Sequence, residues 1–295
     1  MCDITHGRAE DCYASWPDPD IIFSDGPYGL RMYEEDKADG KEMVEWYRPH
    51  VEAWSARSTP RTVLLFCGRE VSWARVHPLL EDNGWVYRQL LVWDKGKGHI
   101  AGRVNSKTAK AWPIVTEVIG FYARPPMYGV RSMRDAQLYM REEWLRTGLP
   151  LSRANEACGV KNAATRKYLT LCHLWYPPPP DVFAKLVAYA DEHGDPEGRP
   201  YFTQAESLRR DWYRFELPFG QNNVFHIPHP PKPRHPNEKP EELVRKLLAP
   251  FAQEGHVLWE PFGGTCATSR AATAMGMYAY ASEADEKYFR VATGK

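Results

Sequence analysis

Short apolar runs alternate with helical spacing at both ends of this chain but not in its middle, and no other feature restricts the fold as much. Ile21-Ile22-Phe23 runs into Ser-Asp-Gly-Pro, a buried strand feeding a turn. Residues 61–66 form a second such strand, ended by Gly68, and Val86 to Trp93 a third, with helical spacing from Val71 to Asn83 between them. The same rhythm returns near the C-terminus. Residues 240–252 predict an amphipathic helix with Leu243, Leu247 and Leu248 on one face, followed by a strand at 256–259, a helix at 268–275 and a strand at 278–281. Strands alternating with helices imply a mostly parallel sheet covered on both faces. The expected organisation is an α/β core made of residues 1–94 and 216–295, with residues 95–215 as an insertion.

The insertion differs in charge as well as rhythm. Between Lys95 and Trp175 stand 14 Lys and Arg against 5 Asp and Glu, inside a chain whose formal net charge is zero. A basic stretch in a neutral protein is the expected footprint of a phosphate-binding face, although a solvated surface has the same composition. Leu151 to Val160 followed by Asn162 to Leu169 has the spacing of a helix-turn-helix. Ser152 is placed to cap the first helix, Gly159 to make the turn, and Val160 to fill the elbow. Arg153, Lys161, Arg166 and Lys167 are the candidate DNA contacts, and an ordinary helical hairpin is the alternative.

The six cysteines are scattered without a C-x-x-C pair, which fits free thiols in a reducing compartment. The polar N-terminus has no apolar signal segment, and no apolar run approaches the length of a membrane span, so a cytoplasmic protein is expected. His226, His229 and His235 lack cysteine or acidic partners in register, so no metal site is expected.

Two strand-to-loop segments carry the chemistry. Asp25-Gly26-Pro27-Tyr28 sits where an early strand ends, the usual place for a ligand in an open sheet. An aromatic amino group is a poor nucleophile because its lone pair is delocalised into the ring. Acceptors aimed at its two N–H bonds favour tetrahedral nitrogen and stabilise the developing positive charge. Asp25 offers a carboxylate and Gly26 a backbone carbonyl, Pro27 stiffens the turn, and Tyr28 offers a ring for stacking. In the second segment, Glu260-Pro-Phe262-Gly263-Gly264-Thr-Cys266, two glycines let the backbone approach a ligand at a helix N-terminus. Glu283 follows about twenty residues on, at the end of the next strand, where an acid can hold ribose hydroxyls.

The order of these segments, with His235-Pro-Asn-Glu-Lys239-Pro240 between them, resembles the β class of DNA amino-methyltransferases, and Trp93-Asp-Lys95 and Glu117 add to the likeness. The resemblance implies a class-I methyltransferase fold, a Rossmann-like doubly wound sheet with a helical target-recognition insertion. It also implies S-adenosylmethionine as cofactor, double-stranded DNA as partner, and a target base flipped out of the duplex. Carried over by position, Asp25, Gly26, Pro27 and Tyr28 are the catalytic loop. Glu260, Phe262, Gly263 and Gly264 are the cofactor loop, Glu283 is the ribose-binding acid, and Lys239 and Pro240 lie beside the cofactor's methionine end. Three positions depart from the family pattern: Gly26 stands for proline, Glu260 for aspartate and Cys266 for glycine.

Methylation at carbon five is excluded because no cysteine follows a proline, and the zinc-deaminase signature is missing. By the resemblance, an aspartate at the acceptor position favours N6 of adenine over N4 of cytosine, since the cytosine enzymes of that family often carry serine there. A DNA-binding regulator with a degenerate core is the alternative of another class. Target sequence, biological setting (restriction companion, phage protection or regulation) and assembly, including a homodimer, stay open.

Overall fold

The computed structural model describes residues 1–29, 40–96, 112–124, 133–172, 174–195, 200–202, 220–231, 233–235 and 237–295. The chain divides into two compact units, Met1–Arg124 with Glu216–Lys295, and Pro125–Phe215. The insertion therefore begins about thirty residues later than the sequence rhythm suggested. The reason is a strand pairing: residues 116–123, outside the expected core, are hydrogen-bonded between two core strands.

In the first unit the elements are β1 (Cys2–His6), β2 (Ile21–Ser24), α1 (Gly40–Arg57), β3 (Val63–Gly68), α2 (Glu70–Asp82), β4 (Val86–Asp94) and β5 (Thr116–Ala123). The second unit holds α3 (Met133–Arg146), α4 (Arg153–Ala157) and α5 (Pro180–His193). The first unit resumes with β6 (Val224–His226), α6 (Glu241–Leu248), β7 (Val257–Glu260), α7 (Ala267–Ala274), β8 (Tyr278–Glu283) and α8 (Glu286–Thr293).

The eight strands form one sheet in the order β1-β8-β7-β2-β3-β5-β4-β6. Every pairing is parallel except those of β5, which runs antiparallel to both β3 and β4. β2 and β7 are neighbours, yet the chain leaves β2 toward β3 on one side and leaves β7 toward β8 on the other. This is a topological switch point, where a crevice opens at the carboxyl ends of the strands.

Alternation along the strands fills both faces. Ile22, Leu64, Phe66 and Tyr122 pack against Met43, Tyr47, Val51 and Trp54 of α1 and against Val76, Leu79 and Leu80 of α2. The α1 residues recur at helical spacing, so one stripe of the helix is buried. Phe121 projects from β5 to the opposite face and meets Phe251, just beyond α6 (ring centroids 5.1 Å apart). Among the described residues no helix is long and apolar enough to cross a membrane.

The second unit has its own core of Met140, Trp144, Ala154, Tyr168, Leu169, Phe183, Leu186, Ala190 and Phe202. The proposed helix-turn-helix is shorter and less regular than expected. Its first helix has five residues, and its second includes a π-helical turn at Thr165–Leu169. Ser152 has helical backbone angles and makes no side-chain cap. Thr165 does that tying instead: its amide donates to Asn155 Oδ1 (3.1 Å) and its hydroxyl to the Leu151 carbonyl (2.8 Å). Gly159 makes the turn at φ +66°, but Val160 is exposed and does not fill the elbow.

Candidate active site

A cavity of about 580 Å³ lies at the switch point, lined by the loops after β1, β2, β7 and β8, by α1, and by His235, Asn237, Glu238 and Lys239. Asp25, Gly26, Lys239, Glu260, Phe262, Gly263, Gly264 and Glu283 all face it, so segments from both ends of the sequence converge. Pro27 also lines the wall, whereas Pro240 stands at the N-cap just before α6.

Asp25 is held from two sides. Lys239 Nζ donates to both of its oxygens (2.7 and 2.9 Å), and the Tyr28 hydroxyl donates to Oδ1 (2.5 Å). Tyr28 Oη also lies 3.1 Å from Glu117 Oε2, and Lys239 Nζ 3.0 Å from the same oxygen. Lys95 completes the cluster by pairing with Glu117 Oε1. Glu117 reaches this point because β5 is antiparallel, which sets its first residues beside the last residues of β4; Trp93 and Glu117 are direct partners.

These four charges are two of each sign. Burial raises the Glu117 carboxyl, but Lys239 and Lys95 bring it down to about 2. Burial alone lowers Lys239; Asp25 and Glu117 carry it above the ordinary lysine value. Burial, reinforced by the same two carboxylates, pushes the Tyr28 phenol well above its usual range. Tyr28 is only 5% exposed, so the open stacking face expected from sequence is covered here, and its hydroxyl is what reaches Asp25.

Gly26 has a steric reason. A Cβ there would lie 2.5 Å from Tyr47 Oη and 2.9 Å from the Phe262 ring, so proline at this position would collide with both. Tyr47, which also donates to the Pro27 carbonyl (3.2 Å), was missed in the sequence because it is one apolar-stripe residue among several on α1. Glu117 and Lys95 escaped the candidate set too, although an acid inside the apolar run Thr-Glu-Val-Ile-Gly-Phe is a readable signal.

On the β7 side, Glu260 turns away from solvent to the N-terminus of α7. Its carboxylate accepts from the amides of Thr268 (3.2 Å) and Ser269 (2.8 Å) and from the Ser269 hydroxyl (2.5 Å). Burial raises its pKa to about 7 against those hydrogen bonds. Gly263 admits nothing larger, since a Cβ would lie 2.7 Å from Cys266 Sγ and 3.0 Å from the Ser282 carbonyl. Glu283 ties the loop down by accepting from Gly264 N (2.6 Å) and Asp285 N (2.8 Å). Burial raises its carboxyl despite these bonds. Cys266 is buried at φ +53°, so the residue replacing the family's glycine does occupy a left-handed position.

His50, on α1, adds an unexpected wall. It is 1% exposed, its Nδ1 shares a hydrogen bond with Tyr13 Oη (2.8 Å), and burial lowers its pKa to about 4 despite nearby Glu10. The three histidines weighed as ligands go separate ways: His226 to Asp94, His229 onto Trp93, and His235 against Tyr288.

The profile of the N6/N4 class of DNA methylases matches residues 19–294. The chain belongs to the N6/N4 DNA methylase family. Among solved structures, the M1.HpyAVI–SAM complex is similar at 14% identity and TM-score 0.55, covering 100% of this chain and 99% of that one. The Thermus thermophilus protein TTHA0409 complexed with S-adenosyl-L-methionine gives 15% identity and TM-score 0.56 over 100% and 92%. The cytosine-N4-specific PvuII DNA methyltransferase gives 10% identity and TM-score 0.57 over 99% and 85%. At these identities the likeness establishes the fold, that of class-I methyltransferases. No curated protein sequence matches the chain.

In the second unit the four candidate DNA contacts differ. Lys161 and Arg166 are exposed, Arg153 is paired with Glu156, and Lys167 Nζ lies 5.5 Å from the centre of the Tyr176 ring.

Proposed function

We propose that this methylase transfers a methyl group from S-adenosylmethionine to N6 of adenine in DNA. The observation that carries the proposal is the convergence of Asp25 and the Gly263-Gly264 loop on one cavity at the switch point. Besides Glu260, whose carboxyl turns to α7, five carboxylates line that cavity (Glu10, Asp25, Glu238, Glu283 and Asp285) against Arg8 and Lys239. Such a wall suits a ligand with an amino group, a sulfonium and ribose hydroxyls, and the bare glycine backbone admits it closely. Gly263, Gly264 and Glu283 would hold this cofactor, with Lys239 toward its methionine end. When bound it supplies an electrophilic methyl group.

Asp25, not the preceding Ser24, faces the cavity; Ser24 is fully buried in β2. The Asp25 carboxylate and the Gly26 carbonyl accept the two N–H bonds of the target amine, draw its nitrogen toward tetrahedral geometry and stabilise charge as it develops. Tyr28 contributes through its hydroxyl, which orients Asp25. A base stacked inside a duplex cannot bring its amino group to Asp25 on the wall of a cavity, so the target is flipped out. Lys161 and Arg166 contact the DNA that presents it.

The test is transfer of tritiated methyl from S-adenosylmethionine to unmethylated genomic DNA by the wild type and Asp25→Ala, followed by nucleoside digestion. N6-methyladenine made only by the wild type is the expected result. N4-methylcytosine would overturn the base assignment, and DNA binding without transfer would make the protein a regulator.

A further inference from the structure

We infer that Glu117 is a positioning residue for methyl transfer, taking over the two donors that occupy Asp25 so that Asp25 is free to accept the target amine. The inference rests on Asp25 being the acceptor. As the site stands, Asp25 is already engaged: Lys239 reaches both of its oxygens and Tyr28 one of them. Both donors also lie beside a second carboxylate, with Lys239 Nζ 3.0 Å and Tyr28 Oη 3.1 Å from Glu117 Oε2. A phenol has one proton to donate, so Tyr28 serves one carboxylate at a time. Shifts of a few tenths of an ångström by the two donors exchange one partner for the other.

Without Glu117 that exchange is blocked. Lys239 is 4% exposed, and parting a buried ammonium from its sole carboxylate leaves an uncompensated charge. With Glu117 present, Lys239 stays paired whether or not Asp25 turns to the amine. Lys95 keeps the second carboxylate in place by binding Oε1, which leaves Oε2 aimed at the shared donors. Glu117 itself stays behind Asp25 and touches no reacting atom.

The competing role is charge balance alone, in which Glu117 merely neutralises a surplus lysine. Removing one charge of each sign separates the two. Single-turnover methyl transfer to an unmethylated duplex is measured for Glu117→Gln, Glu117→Asp and the double variant Lys95→Met/Glu117→Gln, with cofactor and DNA affinities alongside. Glu117→Gln should slow transfer at least tenfold while both affinities stay within twofold, and Glu117→Asp should recover part of the rate. The double variant, whose remaining Asp25–Lys239 pair is neutral, should stay slow. A wild-type rate in Glu117→Gln, or full recovery in the double variant, overturns the inference, as does a loss that lies in affinity. If Glu117→Gln does not fold, the double variant decides alone by the same criterion. A wild type that transfers no methyl would instead refute the acceptor assignment beneath it.

Discussion

Lys239 Nζ lies 2.7 and 2.9 Å from the two carboxylate oxygens of Asp25, closing an ion pair across 214 residues of sequence. The pair joins the loop after β2 to the segment before α6, so two walls of the cavity are fixed to each other by charge. Because Glu117 also contacts Lys239, removing Asp25 does not strand the ammonium. Asp25→Ala should therefore fold and bind cofactor and DNA nearly as the wild type does. Its single-turnover rate should fall by about 100-fold or more, the loss expected for a transition-state interaction. Retention of a tenth of the wild-type rate would remove Asp25 from the acceptor role.

Glu260 makes stability depend on pH in an unusual direction. Its folded pKa is raised to about 7 from the ordinary 4.5, so between those values the folded state binds more protons than the unfolded one. Its contribution therefore falls as pH rises through that window, by about 3 kcal/mol in all, and is constant on either side. Glu260→Gln keeps an acceptor for one of the two α7 amides and removes the titration, so it is the trend with pH, not the offset, that reports on Glu260. Measured by denaturant unfolding, the variant should gain on the wild type steadily from pH 5 to 7.5. Parallel stability profiles would show that Glu260 is not held protonated.

Cys266 carries backbone strain at φ +53° while its side chain is fully buried. Left-handed backbone costs a non-glycine residue roughly 1–2 kcal/mol, about what burying so small a side chain returns. Cys266→Gly should accordingly lie within about 1 kcal/mol of the wild type. Cys266→Val, β-branched at the same angle, should lose at least 2 kcal/mol or so. Thermal melts of the three proteins give the ranking, and a valine variant as stable as the glycine one would contradict it.

Glu283 has two tasks that one substitution removes together. It holds the Gly264 amide, and it stands on the cavity wall where ribose hydroxyls would lie. Glu283→Ala should weaken S-adenosylmethionine binding by about 1–3 kcal/mol, as for lost charge-assisted hydrogen bonds. Titration calorimetry on the folded variant reads this directly; unchanged affinity would move the ribose site elsewhere.

Where elements announce themselves by burial, the sequence reports them: β2, β3, β7 and the apolar face of α6 all fall within a residue or two of expectation. β1 passed unnoticed because Cys-Asp-Ile-Thr-His is an edge strand with a single aliphatic residue, and its sheet partner β8 lies at the far end of the chain. The placement of β5 was hidden for a different reason. Its strand character is readable, but its antiparallel insertion between β3 and β4 is a property of the whole sheet. That direction is what delivers Glu117 to Asp25, so the missed site residue and the misplaced boundary have one cause. Tyr28 shows the converse limit: its place just after β2 is readable, but which part of it is presented depends on packing with Lys239 and Glu117.

The basic stretch between Lys95 and Trp175 offers the remaining test. Lys161 and Arg166 are exposed and have no acid beside them in sequence, whereas Arg153 is committed to Glu156. If the segment from Leu151 to Leu169 faces DNA, each lost phosphate contact should reduce the slope of log affinity against log salt by about 0.9, whatever the DNA sequence. A side chain that reads a base edge behaves otherwise. Its loss costs about 1–3 kcal/mol on the specific site only and relaxes specificity there. Lys161→Ala and Arg166→Ala should therefore show one of these two signatures. Arg153→Ala should show less of either, because its guanidinium is already paired with Glu156 in the free protein. Fluorescence anisotropy with specific and scrambled duplexes at several salt concentrations distinguishes the cases. Cofactor affinity, measured in parallel, should stay constant, since none of these residues lies in the unit that holds the Gly263-Gly264 loop. If Lys161 and Arg166 together can be replaced with no change in affinity or salt slope, the segment is a structural hairpin. Phosphate contacts would then fall to the other basic residues between Lys95 and Trp175.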